Sequence, residues 1–358
     1  MTFGSLWSRH DPAKSLAGFC RATLLACSTV GAPVAFAQVV AISGSTIPVP
    51  VYSAWGSVYE KQTGLRVVYD AAGSSASLER VAKGSAYIAV SNRPMPEDEV
   101  EAKKLIQFPM LSGAVVPVVN IVGVESGQIK LTGNVLADIY LGKINRWTDQ
   151  AIVSLNPRVR LPAGPITVVH RRDGSSTTFL LTSYFKGVSA DWKERVGSGS
   201  TVKFPVGVGV DGVGAMLDAV KQLPNSIGYF HYSVVRKLQL KHLTLQNKAG
   251  NFVSPGYREI QAATQAYDWS GAMSNFTIDS SHQDAWPISS PSFVIMRTNF
   301  RSAKDAANGL RALDFLSWAL QNGDQNADDQ QFIPLPSDVK AEVRREVGVR
   351  LTLLTANR

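Results

Sequence analysis

Cysteine is almost absent from the 358 residues: there are two, Cys20 and Cys27. Both fall within the first 37 residues. If that segment is removed, no disulfide, thiolate metal site or cysteine nucleophile remains. The five histidines show no H-E-x-x-H or comparable spacing, so no metal centre is expected. Beyond the N-terminus no apolar stretch approaches about 20 residues, the length a bilayer-spanning helix needs. Lysines and arginines are not blocked together and the aromatic residues, 9% of the chain, are scattered. Nucleic acid is therefore a poor candidate partner. There is no internal repeat and no low-complexity linker.

What is present fits a well-packed α/β protein of two domains. The apolar fraction is 45%, with 18 prolines and 29 glycines as punctuation. A chain of this size does not need disulfides to supply a core. The N-terminus reads as a secretion signal. Arg9, His10, Lys14 and Arg21 form a basic region, an apolar run follows from Ala22 to Phe36, and Ala35-Phe36-Ala37 is a small-x-small cleavage site before Gln38. About 15 apolar residues broken by Gly31 and Pro33 are too few for a comfortable membrane span. A lipoprotein reading through Leu24-Leu25-Ala26-Cys27 leaves too short an apolar stretch after Arg21. Arg9, Lys14, Arg21 and Asp11 leave with the signal, so the net charge of +8 falls by two. That surplus suits an anionic ligand or surface, and equally suits an ordinary basic protein.

Short β-rich runs alternate with helical patterns, predicting an α/β architecture with parallel sheets. Expected strands are 39–43, 66–71, 87–90, 114–121, 166–170, 227–232 and 292–297. Expected helices are 51–62, 75–82, 135–141, 177–185, 214–222, 257–266, 304–321 and 339–347. Leu310, Leu313, Leu316 and Leu320 fall at steps of three and four and mark a core-facing helical stripe. Without a linker, two domains would be joined by ordered strands, a hinge arrangement that places a ligand cleft between them.

Three segments repeat one pattern, a strand running into a small-residue turn from which a helix starts. They are Ser43-Gly44-Ser45-Thr46, Ala72-Gly73-Ser74-Ser75, and Arg171-Arg172-Asp173-Gly174-Ser175-Ser176-Thr177-Thr178. Helix N-termini carry unpaired N–H groups and partial positive charge, which attract anions. Each turn taken singly is equally an ordinary Ser or Thr cap. Three together, one beside an arginine pair, favour a polar anion cage.

The run His170 to Phe179, continuing through Leu181-Thr182-Ser183-Tyr184-Phe185, resembles the signature of phosphate-binding proteins of ABC-type phosphate importers. So do Gly44-Ser45-Thr46-Ile47-Pro48-Val49-Pro50-Val51-Tyr52, Asp138-Ile139-Tyr140-Leu141-Gly142-Lys143-Ile144 and Asp284-Ala285-Trp286-Pro287-Ile288. The resemblance extends from about Ile42 to Val347. It implies a two-lobed periplasmic binding protein of type II with two chain crossings: residues 38–117 and 284–358 in one lobe, 118–283 in the other, after a signal peptide at 1–37. It implies inorganic phosphate held in the cleft by Thr46, the Ile47 N–H, Ser74, Arg171, Ser175, the Ser176 N–H and Thr177, with Asp173 holding the guanidinium. It also implies a monomer in the periplasm that docks on a membrane permease, with no cofactor and no catalytic residues. One position departs. In Ser91-Asn92-Arg93-Pro94 the family usually has aspartate where this chain has Asn92. A carboxylate only accepts and so selects a protonated anion such as phosphate, whereas an amide also donates and filters sulfate less well. Relaxed selectivity toward sulfate, or anion sensing, is the alternative; Asn92 as an uninvolved turn residue is the plain one.

Other signals are weaker. Gly207-Val208-Gly209-Val210-Asp211-Gly212 has dinucleotide-loop spacing, but no acidic residue follows about 20 positions on, so it reads as a structural loop. His170, Asp173 and Ser175 lie within six residues of one another, without the turn or oxyanion arrangement of a hydrolase triad. A secreted phosphatase would need a nucleophile with a base and usually a metal. The sequence offers neither.

Overall fold

The computed structural model describes residues 39–269, 278–300 and 302–356. The expected signal through Ala37, its cleavage point and both cysteines lie outside the described residues. Among the described residues no helix is long and apolar enough to cross a membrane.

In chain order the strands are β1 (Val39–Gly44), β2 (Arg66–Asp70), β3 (Ile88–Ser91), β4 (Leu105–Asn120), β5 (Lys130–Leu131), β6 (Thr167–Arg171), β7 (Val208–Val210), β8 (Ser226–His231), β9 (Thr244–Gln246), β10 (Phe252–Val253), β11 (Ser289–Arg297) and β12 (Ile333–Pro334). Nine strands form one sheet in the order β2-β1-β3-β11-β4-β8-β6-β7, with β12 also on β4; β10-β9-β5 form a small second sheet.

The expected parallel sheets need correction, because the large sheet is mixed. β1 is parallel to β2 and β3, and β6 is parallel to β7 and β8. β11 is antiparallel to both β3 and β4, and β4 is antiparallel to β8. The reason lies in the crossings. β4 carries the chain out of the first half and enters the second from the opposite end; β11 does the same on the way back. Each half is thus a parallel sheet with one reversed strand supplied by the chain's passage through it.

β4 is the axis of this arrangement. Its 16 residues are nearly all buried. Leu105 to Ala114 pair with β11, and Val115 to Asn120 pair with β8. Two hydrophobic cores meet along it. One gathers Val40, Ile42, Tyr52, Trp55, Leu111, Phe315 and Leu316; the other gathers Ala114, Val118, Tyr140, Trp147, Phe185 and Trp192. The sequence-based strand at 114–121 captured only the second part of β4. Pro109 interrupts the first part, and proline cannot donate within a central ladder. The structure accommodates it opposite Phe293, where the β4–β11 register shifts.

The main helices stand where the apolar periodicity placed them. Helix Val49–Thr63 starts after Pro48, buries Val51, Tyr52, Trp55 and Tyr59, and ends at Gly64 in the left-handed conformation that glycine favours. Helix Ala303–Asn322 buries Leu313, Leu316 and Leu320, with Leu310 half-buried. The helix Ser176–Val188 lies in the second half and its first turn faces the first half.

A cage of hydroxyls and one buried arginine

The three turns come together at the ends of β1, β2 and β6. β1 ends at Gly44, and a side chain there would meet the Tyr69 hydroxyl at 2.3 Å and the Val90 carbonyl oxygen at 2.9 Å. The backbone therefore turns tightly into Ser45, whose N–H donates to the Val90 carbonyl at 2.8 Å. Ser45 Oγ accepts from the Ile47 N–H at 3.2 Å, and the Tyr69 hydroxyl donates to the Ser45 carbonyl at 2.7 Å. Thr46, between them, is exposed. The second turn docks on the first, the Gly73 N–H donating to the Gly44 carbonyl at 2.9 Å.

Neither of the helices that begin here, Val49–Thr63 and Ser74–Ala82, has a side-chain cap on its first turn. The third, Ser176–Val188, is capped by Ser175, whose Oγ accepts from the Thr178 N–H at 3.4 Å and lies 2.7 Å from Thr177 Oγ1. No acidic residue sits in the first turn of any of the three. None of the three partial positive ends is neutralised by an acidic side chain of its own first turn.

Ser176 joins the two halves. Its Oγ lies 2.8 Å from Ser74 Oγ and 3.1 Å from Ser45 Oγ. The sequence reading assigned Ser176 a backbone role; the structure shows that its hydroxyl also meets the opposite half.

Arg171 ends β6 and is buried, 5% exposed. Its side chain forks onto Asp173 through Nε, at 2.5 Å, and through Nη2. Of the five guanidinium N–H groups, two are used in this way. Burial pushes the Asp173 carboxyl up. The hydrogen bonds from Arg171 and from the Gly212 N–H, with the Arg171 charge, outweigh it and hold the group below the usual carboxylate value. The Arg171 backbone is fixed as well, its N–H donating to the Tyr229 hydroxyl at 3.1 Å, which lies 2.7 Å from Thr178 Oγ1. Burial, chiefly, pushes the Tyr229 hydroxyl up to about 12, so it stays protonated and can serve both neighbours.

Of the residues expected from sequence, Thr46, Ile47, Arg171, Asp173, Ser175 and Thr177 line one cavity of about 490 Å³. Ser74 and Ser176 meet through their hydroxyls. Asn92 is not among the residues lining that cavity. It is buried, 2% exposed, just beyond β3, and its Oδ1 has no hydrogen-bond partner. Sequence reasoning missed Ser45, Tyr229 and Gly212. It read the glycine-rich loop as structural, and the last glycine of that loop supplies a 3.1 Å N–H bond to Asp173.

The weaker signals resolve into structure. The His170 ring stacks on Phe204 with centroids 4.3 Å apart, and its Nδ1 faces the Arg171 carbonyl at 3.3 Å. Asp173 is committed to Arg171 and Ser175 to Thr177, so the three do not form a relay. Among the described residues, no group of three or more His, Cys, Asp or Glu is placed to hold a metal ion.

Comparison with known proteins converges on one group. Residues 29–322 match the PBP superfamily domain. The chain is 37% identical over 303 residues to the phosphate-binding protein PstS of Xylella fastidiosa, covering 84% of this chain and 82% of that one. To PstS of Pasteurella multocida it is 38% identical over 312 residues, covering 87% and 90%. The fold matches the crystal structure of an ABC-type phosphate transport receptor from Vibrio cholerae, with a TM-score of 0.55 at 20% identity over 83% of this chain and all of that one. With two curated relatives above 35% identity over most of its length and a superfamily match across both halves, the chain belongs to the PstS phosphate-binding proteins of the PBP superfamily.

Proposed function

We propose that this protein binds inorganic phosphate in the cleft between its two halves and hands it to the permease of an ABC importer. The observation that carries this reading is the meeting of three helix starts with one buried arginine, where the one acidic residue among the described residues lining the cavity, Asp173, is paired with that arginine. Such a cage offers donors from every side to a compact oxyanion. Thr46, the Ile47 N–H, Ser74, Arg171, Ser175, the Ser176 N–H and Thr177 hold the anion in this proposal, Asp173 fixes the guanidinium, and Asn92 supplies the acceptor that a P–OH group needs.

The lobes in this reading are residues 38–117 with 284–358, and residues 118–283, joined through β4 and the segment leading into β11. The protein works as a monomer in the periplasm after removal of the first 37 residues. In this proposal it binds and releases its ligand unchanged. The Asn92 side chain favours a second reading beside the first, a binding protein that discriminates less between phosphate and sulfate.

Calorimetric titration with phosphate, arsenate and sulfate tests this. The expected result is saturable one-to-one binding of phosphate and arsenate, abolished in Arg171→Ala. Absence of phosphate binding by the folded wild-type protein would refute the proposal.

A further inference from the structure

The cavity that holds Arg171, Thr46, Ser175 and Thr177 is far larger than orthophosphate. At about 30 Å³ per water, five heavy atoms fill the space of a few waters, whereas the cavity measures about 490 Å³. That is the range of pockets for small organic ligands, roughly 300–1,000 Å³. The excess volume is apolar. Val49 and Pro50 line it from the first half, and Val213, Met216, Phe230 and Val234 from the second. The halves already touch here through Ser176, Ser45 and Ser74, so this space coexists with direct contact between them.

We infer that the site also takes a phosphoryl dianion bearing a small apolar substituent, a phosphonate or phosphomonoester, with the phosphoryl oxygens on Arg171 and the hydroxyls and the substituent against Val49, Val213, Met216 and Val234. This rests on the phosphate reading above, since it uses the same donors for the charged end. Water against these side chains gains little, and an apolar group displacing it gains the hydrophobic contribution. The substituent replaces one phosphate oxygen, so methylphosphonate binds more weakly than phosphate. Affinity then climbs along a series of longer substituents by about fourfold per buried methylene.

The test is calorimetric titration of the full mature protein with phosphate and with methyl-, propyl- and phenylphosphonate, none of which can be hydrolysed to release phosphate. The expected result is phosphate binding together with phosphonate affinity rising from methyl to phenyl. In Val213→Trp, at an exposed position of the wall, phenylphosphonate weakens by about tenfold or more while phosphate stays within about twofold. Val234→Phe, on another part of the wall, repeats the measurement should the first variant disturb phosphate binding too. Phosphate binding with no phosphonate binding, with a flat series, or with phenylphosphonate indifferent to both substitutions overturns the inference and leaves the phosphate reading intact. Binding of phosphonates without phosphate overturns the phosphate reading and keeps the apolar chamber. Binding of neither overturns both.

Discussion

Ser176 Oγ of the second half lies 2.8 Å from Ser74 Oγ of the first, and the two residues are 102 positions apart in the chain. Hydroxyls are suited to such a seam because each can donate or accept and rotate to suit a bound anion. Ser45 Oγ, 3.1 Å from the same atom, makes the contact three-way.

Removing that seam should weaken the ligand-bound state more than the fold. In Ser176→Ala each partner serine loses one neutral hydrogen bond, worth about 1 kcal/mol net. Phosphate affinity is expected to fall by roughly five- to tenfold, with the melting temperature of the ligand-free protein lowered by only a few degrees. Paired calorimetry and thermal unfolding on the wild type and Ser176→Ala check this. Unchanged affinity would mean that the contact is incidental to binding.

The Arg171–Asp173 pair makes a different prediction. Asp173 does not need to touch the anion, because its work is to hold the guanidinium plane. Arg171→Lys keeps the charge and loses the fork, so it should cost binding nearly as much as Arg171→Ala, about a hundredfold or more. Asp173→Asn should cost less, about tenfold, because Gly212 and Arg171 can still meet one amide oxygen. The Asp173 pKa is lowered in the fold, so its contribution is present above the unfolded carboxylate value and lost as pH falls through the lower folded value. Phosphate affinity measured from pH 8 down to pH 5 should therefore carry no step from Asp173; such a step would contradict the assigned pairing.

In the proposed site Asn92 bears on selectivity. Its Oδ1 is a buried acceptor without a partner, a state that normally costs about 1–3 kcal/mol and that a ligand donor would relieve. Phosphate near neutral pH offers a P–OH donor and sulfate does not. An amide can also turn its nitrogen to an anion, which a carboxylate cannot. Asn92→Asp is thus expected to raise the phosphate-over-sulfate affinity ratio by about tenfold or more. Competition titration of both anions on both proteins measures the ratio, and an unchanged ratio removes Asn92 from the selectivity argument.

These residues also show what the sequence could reveal. Arg171 through Thr178 is a local run that could be matched to a known signature, and the strand-turn-helix punctuation placed all three helix starts within two residues. Tyr229 and Gly212 were not legible, because they reach Arg171 and Asp173 from 58 and 39 positions away through pairings of the sheet. The apolar chamber was invisible for the same reason: Val49, Val213 and Val234 share a cavity only after β4 and β11 have joined the halves. Strand direction failed too. Alternation of strands and helices predicts parallel neighbours and cannot register that two strands arrive from the other half.

The crossing leaves little room for a small change. His231 ends β8 opposite Val115 on β4, stacks on Phe332 with centroids 4.6 Å apart, and keeps its Nε2 buried without a partner. A side chain at Gly113 would meet that nitrogen at 2.3 Å. Gly113→Ala is therefore expected to destabilise the protein by about 1–3 kcal/mol, the usual cost of overpacking, read as a lowered midpoint in urea. Burial drives the His231 pKa from 6.5 down to about 3. The unfolded chain then binds a proton that the folded one refuses, so this residue's stabilisation is complete above pH 6.5 and is lost progressively as pH falls toward about 3. His231→Asn, which cannot be protonated, should flatten the stability profile between pH 6.5 and pH 4 relative to the wild type. Identical slopes for the two proteins would show that His231 is not the group that titrates.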